Sequence, residues 1–182
     1  MAVIEAIATT YLEADAASVE FASLGSYEHL QLRTCIATDS THTSGVHRDS
    51  YYLYFNTSTA TTNSDYSTFG MKGETTTVRA SKDAGINYIY TEFTAGTTKG
   101  IPYFGTCILD ILDYGNGAKN TTVMASVGAV GPVPTTLTES GVGLGSGLWD
   151  NVAAVTKLLL TPQLGSNFRR GSEFTLYGIQ DS

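Results

Sequence analysis

The clearest secondary-structure signal in this sequence is HLQLRTCIAT, residues 29–38. Leu30, Leu32 and Ile36 alternate with more polar side chains, which is the period of a β-strand that buries one face. Similar alternation recurs along nearly the whole chain, between polar breaks that favour turns. Strands are predicted over residues 3–9, 18–24, 29–38, 50–57, 66–72, 86–94, 104–114, 120–127, 137–143, 156–161 and 173–179.

Few segments favour any other structure. Residues 11–17 and 150–155 are each predicted to form at most a short helical turn. The Asn-Gly step at residues 116–117 favours a primed turn and predicts a hairpin between the strands on either side.

No repeat or linker divides the chain, so we predict one domain, residues 1–182. About ten short strands without long helices predict an all-β fold, an antiparallel β-sandwich with jelly-roll-like connections. An up-and-down barrel is the structural alternative. Residues 1–10 are predicted to form an edge strand or a strand that contacts a neighbouring subunit.

The composition excludes several classes of protein. Eleven tyrosines and seven phenylalanines indicate a packed core rather than a disordered chain or a coiled-coil rod. With a net charge of −7 and only 10 lysines and arginines, the chain lacks the clustered basic residues of a nucleic-acid-binding surface. It has no stretch of 18 apolar residues, and Glu5 follows the start too closely for a signal peptide. We therefore expect a soluble protein made in the cytoplasm, with no nucleic-acid partner and no membrane insertion.

The two cysteines are predicted to be free thiols. Cys35 has the opposite phase to Leu30 and Leu32, so it is expected on the outer face of its strand. Cys107 shares its phase with Leu109 and is expected to point inward. Disulfides are also rare in cytosolic proteins.

Motifs that carry catalysis are missing. The chain contains no Gly-x-Ser-x-Gly elbow, no phosphate-binding Gly-x-x-x-x-Gly-Lys, no His-Glu-x-x-His and no Cys-x-x-Cys. The glycine run GVGLGSG, residues 141–147, has the wrong spacing for a dinucleotide loop, and we interpret it as a flexible strand end. We therefore predict a protein that is not an enzyme and that uses no cofactor.

Two polar segments contain residue types that could bind a metal ion. His42 and His47 lie in the stretch from Asp39 to Asp49, and imidazoles beside carboxylates could bind a divalent ion. A polar surface loop has the same composition and is the preferred interpretation, so no metal is predicted there.

Two aspartates of the predicted hairpin form the second set of candidates. Asp113, with Asn116 and Asn120, could bind calcium, but the hairpin turn already accounts for these residue types. Asp110 and Asp113 are three residues apart and cannot face the same way on a strand, which disfavours a glycosidase pair.

The aromatic run YYLYF, residues 51–55, is the best candidate contact surface. Alternation places Tyr51 on one face, with Leu53 and Phe55, and places Tyr52 and Tyr54 on the other. Exposed tyrosines suit a sugar ring, a subunit interface or only water, and the sequence leaves these alternatives open. The candidate interface or glycan contacts are Tyr51, Tyr52, Tyr54 and the single tryptophan, Trp149.

Several local patterns occur in a recognisable order along the chain. They are IATT at 7–10, VEF at 19–21, YEHLQL at 27–32, LYFN at 53–56, DY at 65–66, LW at 148–149, LLLTP at 158–162 and EFTLYGI at 173–179. As an ordered set they resemble small all-β structural proteins of tailed bacteriophage virions, of the head-decoration and fibre-tip type.

The resemblance implies a non-enzymatic component of the virion surface that binds other virion subunits and forms a homo-oligomer, often a trimer. The chain has no shaft or coiled coil, which favours a decoration protein, an adaptor or a docked knob over a free-standing fibre. A carbohydrate-binding module that recognises a host-surface glycan is the alternative. A glycan-cleaving enzyme that uses Asp110 and Asp113 is the third hypothesis.

Overall fold

The computed structural model describes residues 3–40, 48–57, 64–74, 77–96, 103–129 and 141–180. These residues form twelve β-strands and no helix. The strands are β1 (Val3–Tyr11), β2 (Val19–Phe21), β3 (His29–Thr38), β4 (Arg48–Phe55), β5 (Tyr66–Glu74), β6 (Thr77–Ile86), β7 (Ile89–Gly96), β8 (Gly105–Leu112), β9 (Thr121–Ala129), β10 (Gly141–Trp149), β11 (Leu158–Pro162) and β12 (Glu173–Gln180). Nothing in this part of the chain is a helix with the length and apolarity needed to cross a bilayer.

The strands form two stacked antiparallel sheets. The larger sheet has the order β1-β12-β3-β8-β9-β10-β5-β6, and the smaller has the order β2-β11-β4-β7. A short parallel pairing of β3 with β7, at Thr38 and Gly96, joins the two. β12 lies between β1 and β3 in the larger sheet, and β11 lies between β2 and β4 in the smaller sheet. The chain therefore crosses from one sheet to the other at each step from β1 to β4 and again from β11 to β12, as in a jelly roll. The predicted antiparallel, jelly-roll-like sandwich is confirmed.

The alternation that predicted the strands also predicted which side chains are buried. β3 has the predicted bounds, and Leu30, Leu32 and Ile36 are completely buried in the core between the sheets. Both cysteines are free, with Cys35 exposed and Cys107 buried as predicted.

The predicted helical turns at residues 11–17 and 150–155 are wrong. β1 continues to Tyr11, and beyond it the Leu12 and Ala16 amides donate to carbonyls of residues 172 and 168. In the second segment the amides of Asp150 and Val155 donate to carbonyls of residues 65 and 114. These donors bind distant strands and loops, so they are not available for a helical turn.

The glycine run is a strand interior and not a flexible strand end. Residues 141–149 form β10, which pairs with β9 along one edge and with β5 along the other. At one glycine of β10 the smaller sheet approaches too closely for a side chain. A Cβ at Gly147 would lie 2.7 Å from Cγ2 of Ile89, a buried residue of β7.

The hairpin between β8 and β9 exists, but its turn is not the predicted one. Residues 113–120 separate the strands. The positive φ falls on Asp113, at 51°, and not on the Asn116-Gly117 step. The Asn116 amide donates to the Asp113 carbonyl, so the reversal starts earlier than a two-residue primed turn would allow.

Strand β6 is the one strand that the alternation missed. Every residue from Thr77 to Gly85 is exposed, so β6 has no buried face and no apolar period. Within the described part of the chain, β6 pairs only with β5 and forms the far edge of the larger sheet.

Candidate functional site

Four tyrosines cover the outer face of the smaller sheet. Tyr52 and Tyr54 lie on β4, Tyr90 lies on β7, and Tyr88 directly precedes β7. We call these four residues the tyrosine cluster. Tyr52 pairs with Tyr90 across the two strands, while the next pair, Leu53 and Ile89, is buried in the core. Because successive side chains of a strand point to opposite faces, the tyrosines share the face away from the core.

The rings of the tyrosine cluster pack closely on one another. Tyr52 stacks on Tyr88 with 3.7 Å between ring centroids and 21° between ring planes. Tyr54 approaches Tyr88 edge-on at 6.2 Å, and Tyr90 lies 6.3 Å from Tyr52. Burial raises the pKa of both Tyr52 and Tyr54, so their phenols stay protonated at neutral pH. The cluster is therefore an aromatic platform that carries hydroxyl groups.

A polar cleft of about 260 Å³ adjoins this platform. Its lining combines two rings of the cluster with polar side chains from β5, from β6 and from the segment after β11: Tyr88, Tyr90, Lys72, Ser81, Asp83 and Gln163. Aromatic rings beside hydrogen-bonding groups suit a small polar ligand with many hydroxyl groups.

Two of the four residues predicted as contacts belong to the core. Tyr51 is completely buried, with its ring edge-on to Phe168 at 6.3 Å. Trp149 is 4% exposed, and its Nε1 donates to Asp65 at 3.1 Å. Burial removes both residues from the chain's surface.

Tyr52 and Tyr54 lie on the outer face, as their phase predicts. Tyr52 is half-buried, whereas Tyr54 is 3% exposed because its neighbours cover it. Sequence reasoning missed Tyr88 and Tyr90 as site residues. Their signal was a pair of tyrosines two residues apart in a second strand, but only the pairing of β4 with β7 shows that the two pairs meet.

The two acids at the ends of the 39–49 segment have a structural role. Asp49 is 2% exposed and accepts hydrogen bonds from the Thr38 hydroxyl at 2.6 Å and from the amides of Leu164 and Gly165 at 2.9 and 3.0 Å. These contacts fix the loop after β11 against β4. His42 and His47, the candidate metal ligands for which a polar surface loop is the preferred interpretation, lie outside the described residues.

Asp39 holds the next part of the same loop. It accepts from the amides of Ser166 and Asn167, at 2.7 and 2.9 Å, and from the Asn167 side chain at 2.8 Å. Burial by itself raises the pKa of Asp39, but these hydrogen bonds and the charge of Arg169 together lower it by more, so the pKa lies below its ordinary value.

The aspartates of the β8–β9 hairpin are engaged by different partners. Asp110 accepts from Nε2 of Gln31 at 2.7 Å, and Asp113 forms an ion pair with Lys119. Glu28, His29 and Asp113 bring ligand atoms within 4.8 Å of one another. However, Nδ1 of His29 accepts from the Asp113 amide at 3.0 Å, which occupies one of the nitrogens that a metal would need.

The outer face of the larger sheet carries a second surface feature, which the sequence analysis missed. We call it the apolar face: Phe69, Met71, Val78, Ile108, Met124, Val142 and Leu144. These side chains are between 42% and 72% exposed. A groove of about 460 Å³ runs between Met71, Val78, Val142 and Leu144, and a second groove of about 410 Å³ lies beside Phe69. The sequence signal for this face is that apolar residues occupy consecutive positions of one strand, so that both faces of the strand are apolar. Cys107, Ile108 and Leu109 in β8 are an example.

The two surface features differ in chemistry. The tyrosine cluster and its cleft offer aromatic rings and hydrogen-bonding groups on the smaller sheet. The apolar face offers aliphatic, thioether and phenyl groups on the larger one.

A scan against models of protein families and a search of curated proteins both found no match for this sequence.

Proposed function

We propose that this chain is a non-enzymatic structural protein of a bacteriophage virion, a capsid decoration protein or fibre-associated knob. It assembles as a symmetric oligomer on the particle surface. The observation that supports this most directly is the apolar face, because an assembly protein needs a surface that other subunits cover. The ordered sequence patterns that resemble virion proteins are the reason for proposing a bacteriophage particle.

The size of the apolar face supports assembly. Its seven side chains together expose on the order of 700 Å², because a large side chain offers roughly 150–250 Å² when fully exposed. The largest apolar patch of a typical monomer is about 300–600 Å² and is itself often functional. Exposure of this face to water lowers the solubility of the chain, whereas the net charge of −7 raises it.

The engagement of the two candidate carboxylates supports a role without catalysis. A glycosidase needs two acids that converge on one substrate. Here Asp110 is bound by Gln31 of β3, and Asp113 is bound by Lys119 of the hairpin loop. Each carboxylate serves the fold locally.

The test combines particle composition with mass in solution. Antibodies against the recombinant chain are applied to purified phage particles in immunogold electron microscopy, with capsid-free lysate as the control. The expected result is regular labelling of heads or tails, together with an oligomeric mass in sedimentation equilibrium. A chain that is monomeric in solution and does not label particles would refute the proposal.

A carbohydrate-binding module is the second candidate, and the tyrosine cluster with its cleft favours it. In this function a sugar ring stacks on the partly exposed Tyr52 and Tyr88, while Asp83 and Gln163 bind its hydroxyl groups.

Titration calorimetry with hits from a glycan array tests this candidate. The variants are Tyr52→Ala and Asp83→Ala, and the matched control is Tyr11→Ala, an exposed tyrosine on β1. Tyr52→Ala in the tyrosine cluster and Asp83→Ala in the cleft are each expected to weaken binding about tenfold, which corresponds to about 1.4 kcal/mol. Equal affinity in all three variants would exclude this site.

A further inference from the structure

We propose that the apolar face packs against the same face of a second copy of this chain, about a two-fold axis that runs parallel to β10. This inference rests on the proposed function, because it names the surface through which the oligomer forms. It follows from the order of residues across the larger sheet.

β10 is the middle strand of the apolar face. The strand order is β8-β9-β10-β5-β6, so two strands lie on each side of β10. Cross-strand pairing places three rows of side chains on this face. The rows are Asp110-Met124-Ser146-Phe69-Lys82, Ile108-Ser126-Leu144-Met71-Ala80 and Thr106-Gly128-Val142-Gly73-Val78.

The first row has opposite charges at its two ends. Asp110 on β8 and Lys82 on β6 both lie two strands from β10, or roughly 10 Å at the usual strand spacing. A 180° rotation about an axis along β10 keeps each row in place and exchanges its ends. Asp110 of each copy then faces Lys82 of the other, so the contact contains this ion pair twice.

The other two-fold axis in the plane of the sheet gives a worse arrangement. Rotation about an axis across the strands would place β8 over β8 and β6 over β6. With such an axis through the first row, Asp110 would meet Asp110 and Lys82 would meet Lys82, whereas with the axis through the middle row Asp110 would lie over Thr106 and Lys82 over Val78. Neither position pairs Asp110 with Lys82, so charge complementarity favours the axis along β10.

The apolar side chains fit the same operation. Val142 and Leu144 lie on β10 and meet their own copies at the axis. Met124 on β9 and Phe69 on β5 are one strand to either side of β10, so Met124 of one copy packs on Phe69 of the other. A two-fold contact needs such a self-complementary patch.

The area is sufficient for a dimer. The apolar face exposes on the order of 700 Å² on each copy, and a standard interface buries about 800 Å² per partner. Contact between the two faces would also fill the grooves that now run between the side chains.

The first experiment measures the dimer dissociation constant of the full chain by sedimentation equilibrium. Leu144→Asp places two like charges at the axis, and it is expected to weaken dimerisation at least about 100-fold. Leu164→Asp is the matched control, because Leu164 is equally exposed but lies in the loop after β11, away from this face. Thermal unfolding shows that both variants still fold.

The second experiment tests the axis by charge exchange. Asp110→Lys alone and Lys82→Asp alone each create two like-charge contacts, so each variant is expected to be monomeric at concentrations where the unaltered chain is dimeric. An equimolar mixture restores both ion pairs and is expected to form a heterodimer. An affinity tag on one variant, used to capture the other, gives the readout.

Three results would overturn the inference. They are a monomeric or trimeric unaltered chain, a dimer that Leu144→Asp leaves intact, and a charge-exchange mixture that stays monomeric. An oligomer that survives these substitutions and labels particles would leave the proposed function standing with another interface. A dimer that behaves as expected but does not label particles would support the interface and refute the virion role.

Discussion

Gly147→Ala is expected to destabilise the chain, because this glycine makes room for the smaller sheet. The new Cβ would lie 2.7 Å from Cγ2 and 3.0 Å from Cγ1 of Ile89. Ile89 is 2% exposed and belongs to the core, so it cannot turn out into solvent. Either the two sheets separate locally or Ile89 leaves its preferred rotamer.

The expected cost follows from two opposing effects. Overpacking of this kind costs about 1–3 kcal/mol. Replacement of glycine restricts the unfolded chain, which returns about 0.4–1 kcal/mol. The net loss is therefore at most about 2.6 kcal/mol and centres on about 1.3 kcal/mol, which for a chain of this length lowers Tm by about 3–5 °C.

A double-mutant cycle with Ile89→Ala tests the cause. Ile89→Ala alone removes buried methyl groups and costs about 2–5 kcal/mol. In the double variant the added Cβ has space, so the overpacking cost disappears and the free energy of unfolding should exceed the additive value by about 1–3 kcal/mol.

The assay is urea unfolding followed by tryptophan fluorescence, at one protein concentration for all variants. Gly115→Ala, in the turn between β8 and β9, is the control, because a Cβ there meets nothing within 4 Å and the position lies away from the apolar face. It should be neutral or slightly stabilising. Additive effects of Gly147→Ala and Ile89→Ala, or an equal loss in Gly115→Ala, would refute the close-packing explanation.

Three further predictions concern buried polar groups and thiols. Asp49→Ala leaves three backbone amides and one hydroxyl without their acceptor, so urea unfolding should show a loss of about 3–5 kcal/mol, against no more than about 0.5 kcal/mol for the exposed control Glu13→Ala. The lowered pKa of Asp39 means that at acid pH the unfolded state takes up its proton first. The stabilisation that Asp39 contributes is complete above pH 3.8, the ordinary pKa of an aspartate, and is lost as the pH falls through the lower pKa of the folded state. The free energy of unfolding should therefore change less between pH 6 and about pH 2 in Asp39→Asn than in the unaltered chain. Burial raises the pKa of Cys107 to about 12, whereas Cys35 is exposed, so a bulky thiol reagent should modify one thiol in the native state and both in urea. Two modified thiols in the native state would contradict the burial of Cys107.

The strand interiors were predictable from local alternation. Leu30, Leu32 and Ile36 are buried and Cys35 is exposed because successive side chains of a strand face opposite sides. The same argument separated Tyr51 from Tyr52. It failed for β6, which has no buried face and therefore no period to detect.

The candidate sites were less predictable, because they depend on which strands become neighbours. Tyr88 and Tyr90 join Tyr52 only through the pairing of β4 with β7. Trp149 looked available for contacts, but β10 carries it into the core beside Tyr66, with 6.3 Å between the ring centroids. No local pattern indicates either outcome.

The residues thus determine the class of fold and the face of each strand, since both depend on side chains two residues apart. The glycines of β10 show what local reasoning leaves out. In the sequence the run suggests a flexible segment, but in the structure Gly147 is the position at which Ile89 of the opposite sheet approaches the strand. The apolar face likewise exists only because β8, β9, β10 and β5 are adjacent, and that adjacency is set by strand pairing between residues far apart in the chain. Pairing of that kind is selected by the free energy of the whole core, to which all the strands contribute together.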